Sequence, residues 1–81
     1  MNHTVRIEMT KLSNELLAIG RAISEGAAEN SEFDTGVTLQ LMSRALLNME
    51  AATRVGDKAQ REEAREAAVA FLKNASDLLK K

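Results

Sequence analysis

The chain has 81 residues, of which 44% are hydrophobic and 28% are charged, with a formal net charge of -1 at pH 7. This length favours a single domain, because domains rarely fall below about 50 residues. The chain contains no cysteine, which excludes disulfide frameworks, Cys-ligated zinc and thiol catalysis. The near-zero net charge provides no general attraction to nucleic acid or to anionic membranes.

The distribution of apolar residues also bears on the cellular location of the protein. No apolar run approaches the ~20 residues that span a bilayer, and the first residues lack the pattern of a signal peptide. We therefore expect a cytoplasmic protein without a membrane partner.

Helix-forming residues dominate the chain, which predicts one all-α domain over residues 1–81. Thirteen alanines, no prolines and many Leu, Glu, Arg and Lys residues favour helix. The first helix is predicted over about residues 4–28, with Thr4 as its N-cap. Its apolar residues recur at spacings of three and four, as in a coiled coil. They are Val5, Met9, Leu12, Leu16, Ile19, Ile23 and Gly26.

The second helix is predicted over about residues 34–55, after a polar loop at residues 29–32, with Asp34 or Thr35 as rival N-caps. Its apolar side chains cover an arc of roughly 200° around the helix. An arc this wide is typical of the central helix of a bundle.

The third helix is predicted over about residues 57–80, directly after a tight turn. Gly56 is expected in a left-handed conformation, and Asp57 is expected to cap the new helix. The three helices predict an antiparallel three-helix bundle, or an extended helical hairpin with an added third helix, and we expect it to self-associate.

Charge is distributed unevenly between the outer helices. Residues 1–34 carry three basic and six acidic groups, while residues 58–81 carry six basic and four acidic groups. Opposite charges attract, so we expect the two outer helices to lie side by side.

No residue pattern indicates catalysis, a cofactor or a metal. The single histidine, His3, is near the terminus, which excludes His-based triads and paired-histidine metal sites within one chain. No apolar stripe carries a carboxylate for acid-base chemistry. Acidic side chains around the first loop are candidate ligands for a hard cation, but they lack the ligand order of a calcium loop. They are Glu25, Glu29, Glu32 and Asp34. We expect a non-enzymatic protein without cofactor or metal.

Nucleic-acid binding and ligand sequestration stay as alternative functions. The basic residues between Arg61 and Arg65 alternate with glutamates, which weakens the field that a phosphate backbone requires. Helical bundles also bind small ligands between their helices, so a ligand-sequestering oligomer is a further alternative.

Two features predict a partner-binding surface on a protein or on a second copy of the chain. Ala18, Ala22 and Gly26 form a row of small residues at spacings of four, which admits a second helix closely. The same row would also suit packing against the third helix. Leu17 and Leu47 are large apolar residues off the main stripes, although single exposed apolar residues are common.

The segment from Leu16 to Met49 resembles the small helical co-chaperones of type III secretion needle subunits. The resemblance is carried by the Leu and Ile stripe, by the acidic turn that Glu25-Gly26 opens, and by Leu39-Gln40-Leu41 and Arg44-Ala45-Leu46. At the turn, Phe33 stands without the proline expected in that family, and the third helix is an addition. The resemblance implies a cytoplasmic protein that masks an aggregation-prone partner helix.

Overall fold

The computed structural model describes residues 2–80 and places three α-helices along them. They are α1 (His3–Glu25), α2 (Asn30–Arg54) and α3 (Lys58–Leu79). The prediction of an all-α protein with three helices is confirmed, and no strand occurs within the described residues.

The first helix begins and ends earlier than predicted. Its N-cap is Asn2, whose side-chain Oδ1 accepts a hydrogen bond from the Val5 N–H at 2.9 Å. Thr4 lies inside the helix, so its prediction as the cap is wrong. Asparagine is at least as good a cap as threonine, and it takes the earlier position. The helix ends at Glu25, three residues before the predicted end.

The second helix begins at Asn30, so the predicted polar loop is largely helical. Asp34 and Thr35 lie inside α2, and their prediction as N-caps is wrong. Thr35 instead donates from Oγ1 to the Ser31 carbonyl, one turn earlier, at 2.9 Å. Short polar side chains bond to nearby backbone either at a cap or within a helix, and their sequence pattern does not separate the two cases.

The turn between α2 and α3 agrees with the prediction in one residue and differs in the other. Asp57 is the N-cap of α3, where its Oδ1 accepts from the N–H groups of Ala59 and Gln60 at 2.8 and 3.3 Å. Gly56 is not left-handed, because no glycine of the described residues has a positive φ. The chain leaves α2 through an extended Val55, with ψ of 139°, so the turn does not need the freedom of glycine.

The central position predicted for the second helix is confirmed. α2 packs against both neighbours, whereas no Cα atom of α1 lies within 8 Å of a Cα atom of α3. The prediction that the two outer helices lie side by side is wrong. Weak attraction between exposed charges did not decide the arrangement of the helices. The arrangement instead follows from the two contact surfaces of α2, one for each neighbour. The molecule measures 44 by 24 by 14 Å and is a flattened row of helices.

The packing of α1 on α2 relies on residues with little or no side chain. Ser13 and Ser43 are buried and exchange hydrogen bonds, with Ser43 Oγ donating to the Ser13 carbonyl at 2.7 Å and Ser13 Oγ to the Ser43 carbonyl at 3.0 Å. Two turns further along, a Cβ atom added at Gly20 would lie 2.6 Å from the Gly36 carbonyl oxygen. The backbones therefore approach as closely as glycine allows. We call these four residues the α1–α2 seam.

The packing of α3 on α2 relies on alanine. Ala45 and Ala52 are buried on α2, and Ala68 and Ala75 are buried on α3, which contacts only α2. Each pair is separated by seven residues, or about two turns, so each forms a row along its helix. We call these four residues the α2–α3 seam. Ala45 is two residues beyond Ser43, about 200° further around α2, which places α1 and α3 on opposite sides.

The seams leave the large apolar side chains outside the core. The buried hydrophobic residues of the described chain are the four alanines of the α2–α3 seam. No leucine, isoleucine, valine, methionine or phenylalanine of the described residues is fully buried, and many of them are exposed. A globular core is normally rich in these larger residues, so the surface that carries them is the unusual part of the molecule.

Candidate functional site

All three helices contribute to one continuous surface of large apolar side chains, which we call the apolar face. It contains a shallow groove of about 240 Å³. The groove is lined by Leu12 and Leu16 of α1, Met42, Ala45, Leu46 and Met49 of α2, and Leu72 of α3. No polar or charged residue lines this groove, so a complementary partner surface must also be apolar.

The coiled-coil-like stripe of the first helix supplies the α1 part of this face. Leu12 and Leu16 are its central members, and Met9 and Ile19 continue it in the two directions at the same helical spacing. The stripe is displaced from Ser13, which faces α2. It therefore lies beside the α1–α2 seam and faces outward, although its spacing is also that of a buried contact.

The α2 part of the face lies between the two seams. Met42 and Leu46 are next to Ser43 and Ala45, which pack against α1 and α3 respectively. Thr35 precedes Met42 by seven residues, and Thr53 follows Leu46 by seven, so both threonines extend the row toward the ends of α2. The face consequently runs along most of the central helix.

The side chains on this face are accessible to water despite being large and apolar. Leu12 is 49% exposed, Met42 39% and Leu72 40%. Fully burying one such side chain stabilises a protein by about 1.5–3 kcal/mol. A substantial part of the apolar stabilisation available to this sequence is thus not realised within one chain.

The residues predicted to bind a partner lie elsewhere on the molecule and do not form one cluster. Ala18, Ala22 and Gly26 are exposed. Ala22 is about 200° around α1 from Gly20, which faces α2, so this row lies on the outer edge of the molecule. It does not pack the third helix, because the backbones of α1 and α3 do not approach within 8 Å between Cα atoms and the row faces away from α2. Leu17 is half-buried and Leu47 is 38% exposed; neither lines the groove.

A buried carboxylate was missed by the sequence analysis. Glu50 is 8% exposed, and both of its carboxylate oxygens accept from Arg54 Nε, at 3.0 and 3.1 Å. Arg6 of α1 lies nearby and donates from Nη2 to the Thr53 carbonyl at 3.0 Å. The sequence predicts no carboxylate on an apolar stripe, but that prediction does not cover a single carboxylate buried at a helix contact. The spacing of Glu50 and Arg54, one helical turn, is the signal that would have found the pair.

The Glu50–Arg54 pair offers no evident chemistry. A buried carboxylate held by a guanidinium through two hydrogen bonds is a structural ion pair, whereas acid-base catalysis usually needs a carboxyl group whose proton is exchanged with a substrate. His3 lines an open cavity beside this pair but contacts neither residue by a hydrogen bond. Across residues 2–80, no group of three His, Cys, Asp or Glu residues is arranged to hold a metal ion.

The sequence predicts no apolar segment long enough to span a bilayer. Among the described helices, none combines the length and the apolar character that crossing a bilayer requires.

Comparison with known proteins yields no match to a protein family, to a curated protein or to a solved structure. The resemblance of the segment from Leu16 to Met49 to the co-chaperones of needle subunits stays an expectation from the sequence.

Proposed function

We propose that this protein is a non-enzymatic protein-protein interaction module whose working surface is the apolar face. The occupant is an apolar helical surface, which the module binds and thereby shields from water. The observation that supports the proposal is the separation of residue types: small residues form the seams, whereas Leu12, Met42, Met49 and Leu72 stay exposed along one groove. Contiguous exposed apolar surfaces commonly mark interaction sites.

The shape and chemistry of the face support a helical occupant. Leu12 and Leu16 are separated by one turn along α1, and Met42, Leu46 and Met49 follow the same spacing along α2. Two such rows form ridges with a groove between them, into which the apolar stripe of another amphipathic helix packs. The absence of polar groups in the groove favours this occupant over a hydrogen-bonding small ligand.

A designed amphipathic peptide provides a probe for this function. The peptide contains about three heptads with leucine at the a and d positions, charged residues elsewhere and a fluorescent label. We expect saturable binding to the dilute wild-type chain in a fluorescence anisotropy titration. The double variant Leu12→Lys, Met42→Lys should raise the dissociation constant at least about tenfold, which corresponds to about 1.4 kcal/mol.

The matched control is the double variant Ile7→Lys, Leu47→Lys. These side chains are 41% and 38% exposed, close to the values for Leu12 and Met42, but they do not line the groove. The control should bind the probe as the wild type does. The proposed function is overturned if the wild type neither binds the probe nor associates with itself, or if both double variants weaken binding equally.

A further inference from the structure

We infer that the apolar face is occupied by a second copy of the chain, stacked face to face in an antiparallel orientation. This inference rests on the proposed function and identifies the partner. It follows from the surface area of the chain, the dimensions of the face and the distribution of charge between the two ends of the molecule.

The accessible surface area of the chain exceeds that of a compact monomer by about the area that one partner buries in a stable interface. The chain exposes 5493 Å², whereas a monomeric protein of 8.8 kDa exposes about 4,800 Å². The excess of roughly 700 Å² is close to the ~800 Å² that each partner buries in a standard stable interface.

The dimensions of the molecule provide room for this interface. The broad side measures 44 by 24 Å, which is on the order of 1,000 Å² and therefore large enough for one side of a standard interface. A second copy offers a surface of equal size and of the same apolar character. Twofold pairing uses that one surface twice, so it covers both apolar faces without any further component.

The charges of the two ends select the orientation. One end includes the α1–α2 loop and comprises residues 15–43 and 69–80, which carry three basic and six acidic groups. The other end comprises residues 2–14 and 44–68, which carry seven basic and six acidic groups. A twofold axis across the helices places the acidic end of each copy over the slightly basic end of the other. Parallel stacking would instead place the two acidic ends together.

Sedimentation velocity over a range of protein concentrations tests the association. We expect the wild type at twice the chain mass of 8.8 kDa, and the Leu12→Lys, Met42→Lys variant at the mass of one chain. Because both copies carry both substitutions, the dissociation constant should rise about a hundredfold, the square of the effect on the single-sided peptide probe. The Ile7→Lys, Leu47→Lys control should remain dimeric. Circular dichroism then verifies that both variants retain their helices.

Engineered cysteines test the orientation independently, because the chain has no native cysteine. Thr35 and Thr53 lie in the α2 row of the apolar face near opposite ends of the molecule. In the antiparallel arrangement, a short thiol-reactive crosslinker joins a Thr35→Cys chain to a Thr53→Cys chain in a mixture, and neither variant forms crosslinked dimers alone. Crosslinking of each variant to itself would overturn the antiparallel orientation. This measurement also decides the question if the lysine variant loses its helices.

The failure of this inference is distinguishable from the failure of the proposed function. A wild-type chain that is monomeric at every concentration, yet binds the peptide probe through the apolar face, overturns self-association and leaves the interaction function standing. Equal dissociation of both lysine variants would show that the groove does not form the dimer interface, and would also overturn the inference.

Discussion

The two sides of α2 solve the same packing problem with different chemistry. Toward α1, the seam consists of glycine and serine, and its serines exchange hydrogen bonds between buried hydroxyl and carbonyl groups. Toward α3, the seam consists of alanine and has no side-chain hydrogen bond between the helices. The α1 side therefore depends on specific geometry, whereas the α3 side depends on small apolar volume.

This difference predicts unequal tolerance to substitution. On the α1 side, both added volume and lost hydroxyl groups should destabilise the fold. On the α3 side, an introduced hydroxyl group would find no hydrogen-bond partner on the facing helix. The alanines there contribute mainly by their small size.

The largest effect is expected for Gly36→Val. A Cβ atom at this position would meet the Gly20 carbonyl oxygen at 2.6 Å, as well as the Ser24 side chain. Since backbone atoms move only with the whole helix, the substitution should force α1 and α2 apart and lower the free energy of unfolding by about 3 kcal/mol or more. Urea denaturation measures this change.

Gly56→Ala is the control for Gly36→Val. A Cβ atom at Gly56 has no neighbour within 4 Å, and its φ is not positive. The free energy of unfolding should stay the same or rise by about 0.4–1 kcal/mol, because alanine restricts the unfolded chain more than glycine does. A marked loss of stability in this control would contradict the proposed turn geometry.

A smaller effect is expected from the serines of the α1–α2 seam. Ser43→Ala removes the 2.7 Å bond to the Ser13 carbonyl and leaves the Ser13 hydroxyl with one partner fewer. The free energy of unfolding should fall by about 1–2 kcal/mol. A double-mutant cycle with Ser13→Ala should give a coupling energy of about 0.5–2 kcal/mol. Strictly additive effects would show that the two hydroxyl groups act independently.

A double-mutant cycle in the α2–α3 seam provides the comparison for the serine cycle. Ala45→Ser and Ala75→Ser place hydroxyl groups at buried positions, where they bond only to the carbonyl one turn earlier in their own helix. Each should lower the free energy of unfolding by about 1 kcal/mol, and the pair should be additive within about 0.5 kcal/mol. Coupling as large as that of the serines would erase the distinction between the two seams.

An effect of similar size to that of the alanine variants is expected at the Glu50–Arg54 ion pair. Glu50→Gln keeps the shape of the side chain but removes the charge that faces Arg54, and it should lower the free energy of unfolding by about 1 kcal/mol. The control Glu8→Gln disrupts an exposed pair with Lys11 at 3.5 Å and should change stability by less than about 0.5 kcal/mol. Thermal denaturation of both variants, with wild type alongside, checks the ranking.

Much of the architecture could be predicted from the sequence. The absence of proline, the abundance of alanine and the periodic apolar residues predicted three helices, and Asp57 was correctly predicted to cap the third. These signals are local, since they concern residues within one or two turns of each other. The exact ends were less predictable, because Asp34 and Thr35 carry the same chemistry inside a helix as at its start.

Helical periodicity is sufficient to define which residues share a helix face, and therefore that α1 carries a stripe with Leu12 and Leu16 at its centre. The face that each helix turns toward its neighbour depends instead on contacts between residues far apart in the chain. An apolar stripe satisfies helical periodicity equally well in a core or on an interface, whereas the close approach of Gly20 to Gly36 depends on two backbones meeting in space. That contact requires residues without bulk, so the small residues occupy the seams and the larger apolar residues, including those of the groove, lie outside them.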